Sequence, residues 1–151
     1  MSKARKTWQE KLADNLKEKV KNVFNQFGLF ILSTSEDNIP RSRYMTGRMG
    51  EDLSIWGATH LLSRKVNIIK NNPNVCCLCT IDPQKFDSPI IIIVGKADVF
   101  DDLEIKRSNW RDGLRRFFTG PEDQNYVVYK ISPVKIEYYA PFSLKPEVIE
   151  V

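Results

Sequence analysis

Residues 40–65 read Pro40-Arg41-Ser42-Arg43-Tyr44-Met45-Thr46-Gly47-Arg48-Met49-Gly50-Glu51-Asp52-Leu53-Ser54-Ile55-Trp56-Gly57-Ala58-Thr59-His60-Leu61-Leu62-Ser63-Arg64-Lys65. Two runs of strand length, Pro40 to Met49 and Leu53 to Ala58, flank a Gly50-Glu51-Asp52 turn at hairpin spacing. A helix start follows directly. Ser63 stands at its cap position, and Asn72-Pro73 stops it after Asn71. Strands in hairpin order with a helix inserted, rather than alternating with them, argue against a doubly wound sheet.

The flanking text extends this pattern. Leu29 to Ser35 is a strand, and Glu36-Asp37-Asn38 is the turn into the next. Upstream, Trp8, Leu12, Leu16, Val20, Val23, Phe24 and Phe27 recur at ~3.6-residue spacing, which predicts an N-terminal helix within residues 1–27. Gly28 suits its C-cap. Downstream come a strand over Val75 to Ile81, a loop from Asp82-Pro83 to Pro89, and a long strand over Ile90 to Phe100 with Gly95 as a bulge candidate. Asp101 to Phe118 reads as a second long helix anchored by Leu103, Trp110, Leu114, Phe117 and Phe118, and Thr119-Gly120-Pro121 ends it. Tyr126 to Ile131 and Val134 to Tyr139 read as a final strand pair around Ser132-Pro133, and residues 140–151 as a tail without a period. The expected fold is mainly β with flanking helices: a six- or seven-stranded antiparallel β-barrel, closed or split, in one domain over residues 1–151.

Bulk properties narrow the function. The chain has 151 residues, 42% hydrophobic and 28% charged, the balance of a globular protein. Its longest apolar run, Ile90 to Val94, is strand length and far too short to cross a bilayer. The segment Met1-Ser2-Lys3-Ala4-Arg5-Lys6 has no apolar stretch behind its charges, so it does not read as a secretory signal. The expected address is the cytoplasm, with no membrane partner. Cysteine usage agrees: Cys76, Cys77 and Cys79 share one strand and read as free thiols. With His60 they have no zinc-site spacing, so no metal is expected. The net charge of +4 is concentrated in the first helix, where Glu10, Asp14 and Glu18 interrupt the lysines. That is a solvated face, and nucleic acid is not the expected partner.

The polar residues of the opening stretch carry the chemistry. A helix N-terminus leaves backbone N–H groups unpaired and turns the positive end of its dipole outward. Ser63, Arg64 and Lys65 at that start, with the Thr59 hydroxyl nearby, make a seat for a phosphate. Arg43 and Arg48 are within reach of the same anion, while Arg41 reads as solvent-facing.

The ordered set of Arg43 on a strand, Ala58-Thr59, Ser63-Arg64-Lys65 and Asn71-Asn72-Pro73 resembles the pyridoxamine 5′-phosphate oxidase-like flavin-binding split barrels. Trp110, the run Phe117-Phe118-Thr119-Gly120-Pro121-Glu122-Asp123, and Tyr126 through Tyr139 resemble the general stress protein 26 branch. The resemblance covers about residues 16 to 140. It implies flavin mononucleotide (FMN) as cofactor, held in a cleft between the two subunits of a homodimer. Arg43, Tyr44, Met45 and Thr46 should lie along the isoalloxazine edge, and Ala58 and Thr59 near the ribityl chain and phosphate. Ser63, Arg64 and Lys65 should hold the phosphate, with Arg48 as a further candidate. Trp110 and Phe118 are candidates for the wall supplied by the partner. The oxidases of this family carry an Arg-x-His near the C-terminus. Here the equivalent tail is Tyr138-Tyr139-Ala140-Pro141-Phe142, so oxidation of pyridoxamine phosphate is not expected. The implied function is a flavin-dependent oxidoreductase with a small substrate. The alternative is a non-catalytic stress module binding flavin, haem or a deazaflavin, and a haem would need His60 as its axial ligand.

Overall fold

The computed structural model describes residues 4–151, so Met1, Ser2 and Lys3 of the expected N-terminal segment lie outside the described residues. Helix α1 covers Trp8–Asn25. Its start is fixed by a capping box, in which the Thr7 hydroxyl accepts from the Glu10 N–H at 3.2 Å and the Glu10 carboxylate accepts from the Thr7 N–H at 2.7 Å. Only the C-terminal half of the apolar stripe is buried, through Val20, Val23 and Phe24. Trp8, Leu12 and Phe27 stay exposed. Gly28 ends the helix at φ +62°, and a Cβ there would meet the Gly47 carbonyl oxygen at 2.6 Å.

The strands are β1 (Leu29–Glu36), β2 (Ile39–Thr46), β3 (Arg48–Met49), β4 (Ile55–His60), β5 (Asn74–Thr80), β6 (Ile90–Phe100), β7 (Tyr126–Tyr139) and β8 (Glu147–Glu150). Helix α2 (Arg64–Asn71) separates β4 from β5, and helix α3 (Leu103–Ser108) with a 3₁₀ turn (Asp112–Arg116) separates β6 from β7. All strands form one sheet, ordered β2-β1-β5-β6-β7-β4-β3, with β8 paired to β7. Its two end strands, β2 and β3, are consecutive in sequence and joined by Gly47 alone. The sheet therefore curls until its ends nearly meet, and the fold is the expected antiparallel split β-barrel with flanking helices. The Gly47 N–H donates to the Gly28 carbonyl at 2.8 Å and pins that closure.

Burial alternates along the strands, as a sheet with one covered face requires. The inner residues Phe30, Leu32, Ile55, Ile91, Ile93, Ile131 and Ile136 form the core with Phe24 of α1. A smaller cluster joins Phe118, Tyr126 and Val128 to Trp56, Ile105, Trp110 and Leu114, and it secures the α3 segment on the barrel. The outer face carries a second apolar surface. Tyr44, Ile31, Leu78 and Ile92 stand in register across β2, β1, β5 and β6. Tyr44 is 73% exposed and Leu78 42%.

Four sequence expectations are corrected. The strand expected over Pro40 to Met49 is split at Gly47 into β2 and β3. The helix over Asp101 to Phe118 is broken in two. Asn109 caps α3, its side-chain amide donating to the Ile105 carbonyl at 2.9 Å, and its backbone N–H reaches the same oxygen at 3.1 Å. That local bonding competes with helix continuation. The final strand pair is a single strand, β7. Val94 faces Lys135 and Gly95 faces Pro133, so Val134 is the extra residue of a bulge that accommodates Pro133. The Gly95 position expected for that bulge holds. Lastly, the tail contains a strand, β8, which pairs Ile149 with Ile136.

Candidate functional site

A cavity of about 620 Å³ opens where β2, the end of β4, the start of α2 and the 3₁₀ segment converge. Tyr44, Met45 and Thr46 line one side, Ala58, Thr59 and His60 another, Lys65 one end, and Leu114, Phe117 and Phe118 the far wall. The short β4–α2 connection brings Thr59, Ser63 and Lys65 together. The Lys65 Nζ donates to the Thr59 Oγ1 at 2.9 Å and to the Ser63 Oγ at 3.1 Å. The two hydroxyl oxygens are 3.4 Å apart. Ser63 has the extended backbone of a cap residue, but its hydroxyl makes no cap hydrogen bond. It turns to Lys65 instead, which corrects the expected capping role. The N–H groups of Arg64 and Lys65, in the first turn of α2, have no partner in their own helix.

No carboxylate stands within ion-pair distance of Lys65 among the described residues. Burial lowers the Lys65 pKa from its ordinary value, and the nearby Arg43 charge lowers it further. Arg43 is half-buried on β2. Its Nη1 donates to the Thr34 Oγ1 at 2.8 Å and to the carbonyls of Leu32 and Arg41 at 3.2 Å. Burial lowers its pKa too, followed by the charges of Arg41 and Arg64. Arg41 is not solvent-facing as expected: it is half-buried, with its Nε enclosed and without an acceptor. Arg64 is exposed.

Other expected site residues are placed differently. Met45 is 7% exposed and belongs to the core, so it offers the cavity mainly backbone. The Tyr44 ring spans the cavity rim and the outer apolar face. Arg48, beyond Gly47 on β3, does not line the Lys65 cavity. Its Nη2 donates to the Asn109 Oδ1 at 2.9 Å in an adjoining pocket of about 280 Å³, which also contains Trp56, Gly57 and Arg111. Burial and Arg111 lower the Arg48 pKa. The two pockets share Thr46, Ala58 and Leu114. Trp110 and Phe118 are packed within their own chain, in the smaller cluster, and Phe118 itself lines the cavity. The His60 Nδ1 accepts from the Leu62 N–H at 3.1 Å, and its ring stacks on Phe118 with centroids 6.3 Å apart.

Sequence reading missed the buttress behind this wall. The Tyr129 hydroxyl donates to the Thr46 carbonyl at 2.5 Å. Its ring fills the space left by two glycines: a Cβ on Gly57 would lie 2.2 Å from the hydroxyl oxygen, and one on Gly47 2.6 Å. A glycine inside a strand pattern is the signal that could have found it. The cysteines are free thiols. Burial pushes the Cys79 thiol up to about 11 and raises Cys77 further, so neither is a thiolate near neutral pH. Among the described residues, no His, Cys, Asp and Glu group of three or more could hold a metal ion. Nor is any described helix long and apolar enough to cross a membrane.

An antiparallel sheet whose ends nearly meet at Gly47, with a cavity between β2, β4 and the 3₁₀ segment, defines the class of split-barrel proteins. Within that class, the chain belongs to the pyridoxamine 5′-phosphate oxidase family, whose model matches residues 16–140. It is 34% identical over 122 residues to general stress protein 26 of Bacillus subtilis strain 168, covering 81% of this chain and 86% of that protein. The crystal structure of general stress protein 26 from Bacillus anthracis strain Sterne superposes with a TM-score of 0.76 at 34% identity, over 91% of this chain and 99% of that one. A related protein from Clostridium acetobutylicum shares the fold with a TM-score of 0.77 at 20% identity, over 91% of this chain and 96% of its own.

Proposed function

We propose that this chain is a cytoplasmic, single-domain FMN-binding protein that works as a homodimer and serves as a flavin-dependent oxidoreductase. The observation that carries the reading is Lys65 itself. It is a half-buried ammonium held by two hydroxyls, with no carboxylate partner among the described residues, at the end of a cavity of about 620 Å³. Burying an unpaired cation is unfavourable. An anion in front of it supplies the missing charge, and the cavity volume falls in the ~300–1,000 Å³ range of small-molecule sites. These donors fit the phosphate of FMN. Lys65, Ser63, Thr59 and the first N–H groups of α2 would hold it, Thr46 and Ala58 would flank the body of the ligand, and Leu114 and Phe118 would exclude water. When bound, the flavin would supply the hydride and electron chemistry.

The adjoining pocket supports a substrate with an anionic group, since Arg48 and Arg111 both line it and no carboxylate pairs with either among the described residues. The homodimer is supported by the apolar outer face around Tyr44, Ile31, Leu78 and Ile92, a surface of the kind that marks an interaction site.

Absorbance of the purified protein and thermal shift with added FMN test the reading. A flavin spectrum and stabilisation by FMN, but not by riboflavin at equal concentration, are expected. A colourless protein that FMN does not stabilise sinks it. Nicotinamide-dependent reduction of the bound flavin separates the oxidoreductase from the binding module.

A further inference from the structure

The barrel leaves the first half of α1 uncovered. Trp8, Leu12 and Leu16 recur every four residues and form one stripe along the helix. Yet Trp8 is 76% exposed, Leu12 is exposed too, and full burial begins only at Val20. The capping box at Thr7 keeps this half helical, although a short helix that packs on nothing is marginal. Leu12 and Leu16 line an open groove of about 390 Å³ with Glu147 and Val148 of β8. The loop from β7 to β8 leads into the same groove, and it carries Phe142 and Leu144, 81% and 99% exposed. Ser143 orders that loop: its N–H donates to the Ala140 carbonyl at 3.0 Å, and its hydroxyl to the Lys145 carbonyl at 2.9 Å. Phe142 sits at φ +61°, a conformation that a bulky residue rarely adopts. The chain bears that strain while holding the ring out in water.

Charge is sorted around this apolar end. Glu10, Asp14 and Glu18 repeat at the same spacing, two residues out of step with the stripe, which is about 200° round the helix. Each is already engaged: Glu10 in the capping box, Asp14 with Lys6, and Glu18 with Lys21. Arg5, Lys11, Lys19 and Lys145 have no carboxylate partner among the described residues. Lys19 stands in line with Leu12, two turns on. Glu147 is the one acid among the residues that line the groove.

A partner for this end has to be both apolar and anionic. A second copy would bring the same cations against themselves, and nucleic acid offers no apolar medium for Phe142 and Leu144. We infer that this end of the molecule rests on an anionic lipid surface. Trp8, Leu12, Phe142 and Leu144 enter the headgroup region. Arg5, Lys11, Lys19 and Lys145 meet the lipid phosphates. The contact is peripheral, since no described helix is long and apolar enough to cross a membrane.

Co-sedimentation of the full chain with vesicles of phosphatidylcholine, alone or with about 30% phosphatidylglycerol, tests this. Binding to the anionic vesicles only is expected, with a blue shift of tryptophan fluorescence that Trp8→Ser removes. Trp8→Ser should melt with the unmodified protein, because the ring lies largely in water. Lys11→Gln should weaken binding about fivefold, as one cation near such a surface implies. Phe142→Gly is the sharper variant. It relieves the positive φ, so the melting temperature should rise while vesicle binding falls about fivefold. Equal binding to phosphatidylcholine alone, or no binding to the anionic vesicles, overturns the inference. So does binding that Trp8→Ser and Phe142→Gly leave unchanged. Self-association in sedimentation velocity without lipid, abolished by Trp8→Ser, assigns the face to a second copy and overturns it. Tighter binding to duplex DNA than to the anionic vesicles assigns the cations to nucleic acid and overturns it too.

Discussion

Two lysines in two regions of the molecule meet burial in opposite ways. At the start of α2, Lys65 is half-buried against two hydroxyls that can accept or donate, and its neighbours are cations. In the α3 segment, Lys106 is 6% exposed, yet its amine finds both an acceptor and an aromatic face within the fold. Its Nζ donates to the Asp123 carbonyl at 2.9 Å and lies 5.6 Å from the Tyr126 ring centroid, while the Tyr126 hydroxyl donates to the Lys106 carbonyl at 3.0 Å. The more buried amine is the structural one. What distinguishes the two is the sign of the charge nearby: the Lys106 charge lies near enough to the Asp123 carboxylate to help lower its pKa, whereas the charge felt at Lys65 is that of Arg43. The region around Lys106 holds the wall of the cavity, and the region around Lys65 is the one we propose receives the phosphate.

The largest expected effect strikes both regions through their shared buttress. Gly57→Ala forces the Tyr129 ring away from Thr46 and should cost about 2–3 kcal/mol in urea unfolding. A neutral result would mean that the wall between the pockets is soft. Next, Lys65→Met should weaken FMN binding roughly 30-fold, as expected for a charged hydrogen bond worth ~2 kcal/mol. The ligand-free protein should be no less stable. Lys106→Met should do the reverse. It should lose ~1–2 kcal/mol of stability by removing one of the two hydrogen bonds to the Asp123 carbonyl and the cation over the Tyr126 ring, and keep FMN affinity within twofold. If these two variants exchange their effects, the comparison is broken.

The pH dependence sharpens the comparison further. The folded-state pKa of Lys65 lies below the ordinary 10.5, by burial first and Arg43 second. Below that lowered value the amine is charged in both folded and unfolded chains, and its burial penalty is constant. Between the lowered value and 10.5 the unfolded chain holds the extra proton. Stability of the ligand-free protein therefore rises with pH across that window. A bound phosphate favours the charged amine, so FMN affinity should fall across the same window in titrations. A flat profile is expected for Lys65→Met, and a flat profile in the unmodified protein would contradict the assignment. The smallest effect belongs to the surface of the α3 segment. Glu122→Gln removes the exposed pair with Arg107 and should shift stability by at most ~0.5 kcal/mol.

The Lys65 region was legible because its parts are close in sequence. Thr59, Ser63 and Lys65 lie on one strand end and one helix start, where local geometry alone brings them together. The hairpin order from Leu29 to Ala58 likewise predicted the antiparallel barrel. The Lys106 region was not legible in the same way. Its apolar spacing is helical, but the bonding of Asn109 to the Ile105 carbonyl breaks the helix, and that break creates the second pocket. Arg48 meets Asn109 across 61 positions, a contact no local pattern encodes. Arg48, one hairpin before the start of α2, reads as within reach of the same anion. Gly47 defeats that logic by passing the chain from one end of the sheet to the other. Arg41 was read as outward, whereas its register opposite the buried Thr34 sets it inward.

That closure has a consequence for how the protein is born. The Tyr129–Thr46 hydrogen bond spans 83 positions, and β7 alone bridges β6 to β4. Until β7 emerges from the ribosome, β2-β1-β5-β6 is an open sheet whose last edge contains Ile90 to Val94, a ready template for mispairing. Closure across such long separations is slow compared with local helix formation. The wall behind Thr46 is complete only once Tyr129 has joined the sheet, so a cofactor bound there favours the closed barrel over its aggregation-prone precursor.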